Sequence, residues 1–132
     1  MLGLLVTLAC SSGDDDQATE RPRPDPMKHE LSVDSAADML AREPGVVVID
    51  VRVADDFTAG HIKGARNIAY ENADFGAHVA KLDRAAKYLI YCGSGRISAA
   101  AFAQMHDLGF REIYHLDGGF LAWKDAGQPV EE

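Results

Sequence analysis

Four consecutive β-branched residues, Val46-Val47-Val48-Ile49, limit the fold more than any other stretch of the chain. Such a run has no polar side to turn to water, so it predicts a strand covered on both faces, as in the centre of a parallel sheet. Asp50-Val51-Arg52 follows at once and places two charges where that strand leaves the core. The run Lys87-Tyr88-Leu89-Ile90-Tyr91 and residues 112–116 read as further strands. A short first strand is expected at residues 29–33 and a small one at Ile68 and Ala69.

Helical patterns fall between these runs. Asp34 or Ser35 is the expected N-cap of a first helix, with Asp38 in its first turn, running through Met39 and Leu40 to Arg42 and stopped by Pro44-Gly45. Residues 55–57 suggest a single helical turn, and Phe75, Val79 and Leu82 give an amphipathic helix over residues 74–82. The helix predicted over residues 98–108 packs Ala99, Phe102 and Met105, then ends with Gly109 left-handed and Phe110 folded back on Met105. A last short helix is expected at residues 120–124. Alternation of this kind predicts an α/β fold in three layers, α/β/α, around a central, mainly parallel sheet of about five strands. Ligands bind at the carboxyl edge of such sheets, so Asp50, Arg52, Cys92 and Asp117 are expected on one rim.

Cys92 sits between the strand ending at Tyr91 and the helix after it, in Tyr91-Cys92-Gly93-Ser94-Gly95-Arg96-Ile97-Ser98. Two glycines let the backbone curl tightly, and a curl at a helix N-terminus turns several N–H groups toward one point. Converging N–H dipoles and a nearby cation, here Arg96, favour a thiolate, the reactive form of cysteine. A cysteine that merely fills space needs neither the special backbone nor the charge. Ser98 is placed either to cap its helix or to touch the sulfur.

Charge narrows the partners. The formal charge is −8, with 13 basic against 21 acidic residues, which leaves no basic face for a nucleic-acid backbone. The five histidines show no paired ligand spacing, so no metal and no cofactor are expected. His61 is expected to hydrogen-bond backbone, Trp123 to pack in the core, and Gly118-Gly119 either to form a tight turn or to approach the site closely, the turn being enough to explain the pair.

The N-terminal part has a different character. Residues 1–9 read as a lipoprotein signal peptide with a short apolar core from Leu2 to Ala9, and Thr7-Leu8-Ala9-Cys10 resembles a bacterial lipobox, in which Cys10 would be lipidated. Residues 10–28, with Asp14-Asp15-Asp16 and alternating prolines, read as a disordered Asp/Pro-rich tether. The folded domain is then residues 29–132, and the expected location is the cell envelope, lipid-anchored or periplasmic, with the membrane met only through that anchor. A cytoplasmic protein with an apolar N-terminus is the alternative.

Val48-Ile49-Asp50-Val51-Arg52, Phe57, Gly60-His61-Ile62-Lys63-Gly64-Ala65, the Cys92 loop, and Leu116-Asp117-Gly118-Gly119-Phe120 with Trp123 together resemble a rhodanese domain. The resemblance implies a single-domain sulfurtransferase whose Cys92 takes a sulfane sulfur from a small anion such as thiosulfate and passes it to cyanide, a thiol or a protein acceptor. Gly93, Ser94, Gly95, Arg96, Ile97 and Ser98 would bind the substrate, their N–H groups stabilising anionic sulfur and Arg96 steering the donor. Ile97 stands where many such loops carry an arginine, so the resemblance implies a persulfide more directly than thiosulfate as its source. Related phosphatases place five residues between cysteine and a phosphate-clamping arginine. Here that position is Ser98, which argues against phosphatase chemistry. Asp50 and Arg52 are read as organising the rim. A persulfide carrier or binding module with little turnover of its own is the alternative function.

Overall fold

A computed structural model describes residues 29–132. The signal peptide expected at residues 1–9, the expected lipidation site Cys10 and the tether expected at residues 10–28 lie outside the described residues. The order of elements is β1 (Glu30–Leu31), α1 (Val33–Arg42), β2 (Val47–Asp50), α2 (Ala54–Ala59), β3 (His61–Ile62), β4 (Arg66–Asn67), α3 (Phe75–Ala80), β5 (Tyr88–Tyr91), α4 (Arg96–Asp107), β6 (Ile113–Leu116), α5 (Gly119–Asp125) and β7 (Val130–Glu131).

Five strands form one sheet in the order β1-β6-β5-β2-β4, every pairing parallel. The β-branched run supplies β2, paired with β5 in the register Val47↔Tyr88 to Asp50↔Tyr91. Because side chains alternate along a strand, β5 feeds two cores. Tyr88, Ile90 and then Cys92 join Phe75, Val79, Phe102 and Met105 beneath α3 and α4. Leu89 and Tyr91 join Ala36, Phe120 and Trp123 beneath α1 and α5. The sheet is thus covered on both faces, and Cys92 and Tyr91 face opposite layers.

Several local expectations shift. Ser32, rather than Asp34 or Ser35, is the N-cap of α1: its hydroxyl accepts the Ser35 N–H at 3.1 Å. Starting the helix at Val33 lets that side chain join the apolar face below α1, and it cuts the first strand to two residues. Asp38 consequently lies beyond the first turn and pairs with Arg42 at 3.2 Å. The small strand is Arg66–Asn67 and not Ile68 and Ala69, although the Ile68 and Tyr70 N–H groups continue bonding to Asp50 and Val51 carbonyls at 3.0 Å. The α4 helix starts at Arg96, two residues before Ser98. Its end matches expectation, with Gly109 at φ +100° and the Phe110 N–H bonded to the Met105 carbonyl at 3.2 Å. The antiparallel β3–β7 pair escapes sequence patterning, because two-residue strands carry no periodicity.

Candidate active site

Parallel pairing brings the carboxyl ends of β2, β5 and β6 to one edge, and Cys92 is the first residue past β5 there. It is a free thiol, only 1% exposed. Gly95 at φ +102° ends the curl as the N-cap of α4, a conformation that suits glycine and leaves the following N–H groups turned inward. The Gly95 N–H points at Cys92 Sγ from 3.0 Å and the Ser98 N–H from 3.4 Å. The thiol donates to Ser98 Oγ at 3.7 Å, and that hydroxyl donates to the Gly95 carbonyl at 3.2 Å. Ser98 therefore touches the sulfur and does not cap the helix; it is fully buried. Two N–H donors aimed at one sulfur stabilise negative charge on it.

The other candidate residues of the loop lie outward. Ser94 and Arg96 are exposed, Ile97 is 37% exposed, and Gly93 is half-buried. Arg96 is exposed and makes no ion pair among the described residues. Clefts of about 170 Å³ beside Val53 and Asn67, and of about 300 Å³ between α1 and Trp123, contain no residue of the Cys92 loop.

The opposite side of the loop leans on α5. The Phe120 N–H donates to the Cys92 carbonyl at 2.7 Å and the Leu121 N–H to the Gly93 carbonyl at 3.1 Å. Gly119, at φ +59°, comes so close that a Cβ there would collide with the Cys92 carbonyl oxygen and lie 2.7 Å from the Gly93 carbonyl carbon. Of the two readings, close approach to the site holds for Gly119, beyond a tight turn alone. Its signal was present as a second glycine after Asp117-Gly118, but only the fold reveals what it touches.

Asp50 and Arg52 form an ion pair at the end of β2. Asp50 is fully buried, and the Arg52 guanidinium grips it in a fork, Nη2 at 2.7 Å from Oδ2 and Nε at 3.1 Å from both oxygens. The same Nη2 donates to the Gly60 carbonyl at 2.6 Å. Burial opposes the Arg52 charge, yet hydrogen bonding and attraction from Asp50 outweigh it and hold the guanidinium pKa above its ordinary value. Tyr91 lies against this pair, its hydroxyl accepting the Ile62 N–H at 3.0 Å. Burial first, then the Asp50 carboxylate, raises the Tyr91 pKa far above the usual phenol value. His61 stacks on Phe57 with ring centres 3.8 Å apart and donates from Nδ1 to the Phe57 carbonyl at 2.9 Å. Asp117, exposed at the same edge, ties its N–H to the Leu31 carbonyl at 2.8 Å and makes no contact with the thiol. Among the described residues no cluster of three or more His, Cys, Asp or Glu side chains could hold a metal ion.

Comparison with known proteins agrees with this arrangement. The family model for the rhodanese-like domain matches residues 32–126. Over 93 residues the chain is 42% identical to a thiosulfate sulfurtransferase GlpE of Pseudomonas putida strain GB-1, spanning 70% of this chain and 81% of that protein. Over 83 residues it is 36% identical to the GlpE of Pseudomonas fluorescens strain SBW25, spanning 63% and 74% of the two chains. The solution structure of a rhodanese-like domain from an Anabaena protein superposes with a TM-score of 0.71 at 26% identity, covering 78% of each chain. Fold, loop and relatives converge, and the chain belongs to the rhodanese-like family of sulfurtransferases.

Proposed function

We propose that Cys92 carries the transferred sulfur as a persulfide. The thiolate attacks the outer sulfur of a donor such as thiosulfate, a new S–S bond forms at Cys92, the donor's own S–S bond breaks, and sulfite leaves with the bonding pair. A thiolate or cyanide acceptor then attacks the outer persulfide sulfur and restores the Cys92 thiolate. The observation that carries this reading is the pair of N–H groups, from Gly95 and Ser98, aimed at Sγ. They stabilise charge on sulfur throughout the cycle, as an oxyanion hole does on oxygen. Arg96, exposed beside the loop, draws in the anionic donor.

Intact-mass measurement of residues 29–132 after incubation with thiosulfate tests the proposal. Wild type gains one sulfur atom and Cys92→Ser does not; a wild type that never gains sulfur refutes it. Sustained turnover with cyanide or a small thiol distinguishes an enzyme acting alone from a persulfide carrier, which would release only one equivalent. We further infer from Thr7-Leu8-Ala9-Cys10 that the chain is lipid-anchored in the cell envelope through Cys10. A diacylated Cys10 N-terminus in the membrane fraction supports this, and an unmodified Met1 terminus in soluble extract overturns it.

A further inference from the structure

The Nε and Nη2 donors of Arg52 are already engaged. Its side chain is 12% exposed, and its fork is occupied by Asp50 and the Gly60 carbonyl. Its flat face is used differently. The guanidinium carbon stands 4.4 Å from the centre of the Phe120 ring and 5.8 Å from that of Tyr91. Phe120 is the residue whose N–H holds the Cys92 carbonyl at 2.7 Å, and its neighbour Leu121 holds that of Gly93. The Arg52 stem also passes beneath the loop, its Cδ 3.9 Å from where a Gly93 Cβ would stand. The Phe120 ring, finally, packs against Gly60, 3.6 Å from the place of a Gly60 Cβ, so the arginine and the ring close on the same turn.

We propose that Arg52 is a positioning residue for sulfur transfer: anchored by Asp50, it clamps the Phe120 ring and so fixes the two α5 N–H groups that hold the backbone of the Cys92 loop. The inference rests on Cys92 being the sulfur carrier, but its structural half is independent of that chemistry. A loop held by two carbonyls presents the Gly95 and Ser98 N–H groups to sulfur in one orientation. When the clamp loosens, those donors no longer meet the charge that develops during transfer, and the rate falls. Donor affinity is expected to hold, because the Arg52 N–H donors are taken by Asp50 and the Gly60 carbonyl.

Two variants separate this role from simple structural support. Phe120→Leu keeps an apolar side chain and the N–H but removes the ring. Arg52→Lys keeps a cation beside Asp50 but loses the planar fork and the stacking face. The measurements are single-turnover sulfur loading from thiosulfate, read by mass at increasing donor, and backbone amide exchange at Phe120 and Leu121. Each single variant is expected to lower the saturating rate by about tenfold with an unchanged half-saturation concentration, and to speed exchange at those two amides while β2 and β5 stay protected. Because both act through one contact, the double variant also loses about tenfold, not a hundredfold. Losses that multiply, or a half-saturation concentration that rises, overturn the proposal. So does wild-type exchange at Phe120 and Leu121. A wild type that takes up no sulfur would instead defeat the persulfide reading, with amide exchange still deciding whether the clamp exists. Should Arg52→Lys fail to fold, Phe120→Leu against Phe120→Tyr, which restores a ring, decides it: recovery of rate and protection in the tyrosine variant supports the clamp, and no recovery overturns it.

Discussion

Replacing Gly119 with alanine drives a methyl group into the backbone of the Cys92 loop. Three costs follow from the structure. Holding alanine at φ +59° costs about 1 kcal/mol relative to glycine. The methyl would collide with the Cys92 carbonyl oxygen and lie 2.7 Å from the carbonyl carbon and oxygen of Gly93, backbone atoms that cannot rotate aside, and crowding of this kind costs about 1–3 kcal/mol. Relief requires the loop and α5 to separate, which breaks the bond from the Phe120 N–H to the Cys92 carbonyl, worth about 1 kcal/mol. Together these come to roughly 3–5 kcal/mol against a usual domain stability of about 5–15 kcal/mol. The variant should therefore fold, unfold more than about 10 °C earlier, and load sulfur at least about a hundredfold more slowly. Gly127→Ala isolates the backbone term, since Gly127 has φ +74° with nothing within 4 Å of the added Cβ. It should lose about 1 kcal/mol and no activity. Urea unfolding and single-turnover loading measure both quantities. A Gly119→Ala protein no less stable than Gly127→Ala and loading at the wild-type rate would refute the close-approach argument.

Other outcomes are expected elsewhere at the rim. Ser98→Ala removes the hydroxyl that accepts from the thiol but keeps the N–H, so loading should slow by about tenfold with stability falling by about 1 kcal/mol, measured by rapid-quench mass analysis and urea unfolding. Asp50→Asn leaves the Arg52 guanidinium without a counter-charge in a largely buried site and should cost about 3–5 kcal/mol in urea; a loss under about 1 kcal/mol would show that the pair matters little. Tyr91 contributes to the loss of stability at alkaline pH. Its folded pKa lies above the usual value of 10, so between those two values the folded chain keeps a proton that the unfolded chain has released. Its contribution is complete below pH 10 and is lost as pH rises above it, with a slope of up to about 1.4 kcal/mol per pH unit. Tyr91→Phe should flatten the fall in unfolding free energy above pH 10 relative to wild type, and an unchanged slope would contradict the assignment.

Much of this architecture is legible before any coordinates are seen, because the decisive signals are local. Val47, Val48 and Ile49 cannot sit at a surface together, and Gly93 and Gly95 around a cysteine make sense only where backbone must curl. The α4 ending at Gly109 and Phe110 reads equally well, since the glycine and the hydrophobic return are adjacent in sequence. What stayed hidden is non-local. Gly119 meets the Cys92 loop only after β5 and β6 pair, and Arg52 meets Phe120 across 68 positions of chain that no spacing rule connects. The choice among Ser32, Asp34 and Ser35 as cap hung on where Val33 could bury itself, a tertiary question. Likewise β3 and β7 are strands only because each is the other's partner.

The alternation along β5 gives Cys92 an unusual dependence. Its sulfur is held by N–H groups of α4 and the turn before it, in the layer on one side of the sheet, while its carbonyl is held by α5 from the layer on the other. The sulfur thus keeps both N–H donors, and the carbonyl its α5 partner, only while both layers are docked. A molecule that has let go of either helix keeps a thiol but not this arrangement, so on the proposed mechanism partial opening would stop sulfur transfer before the thiol reaches solvent.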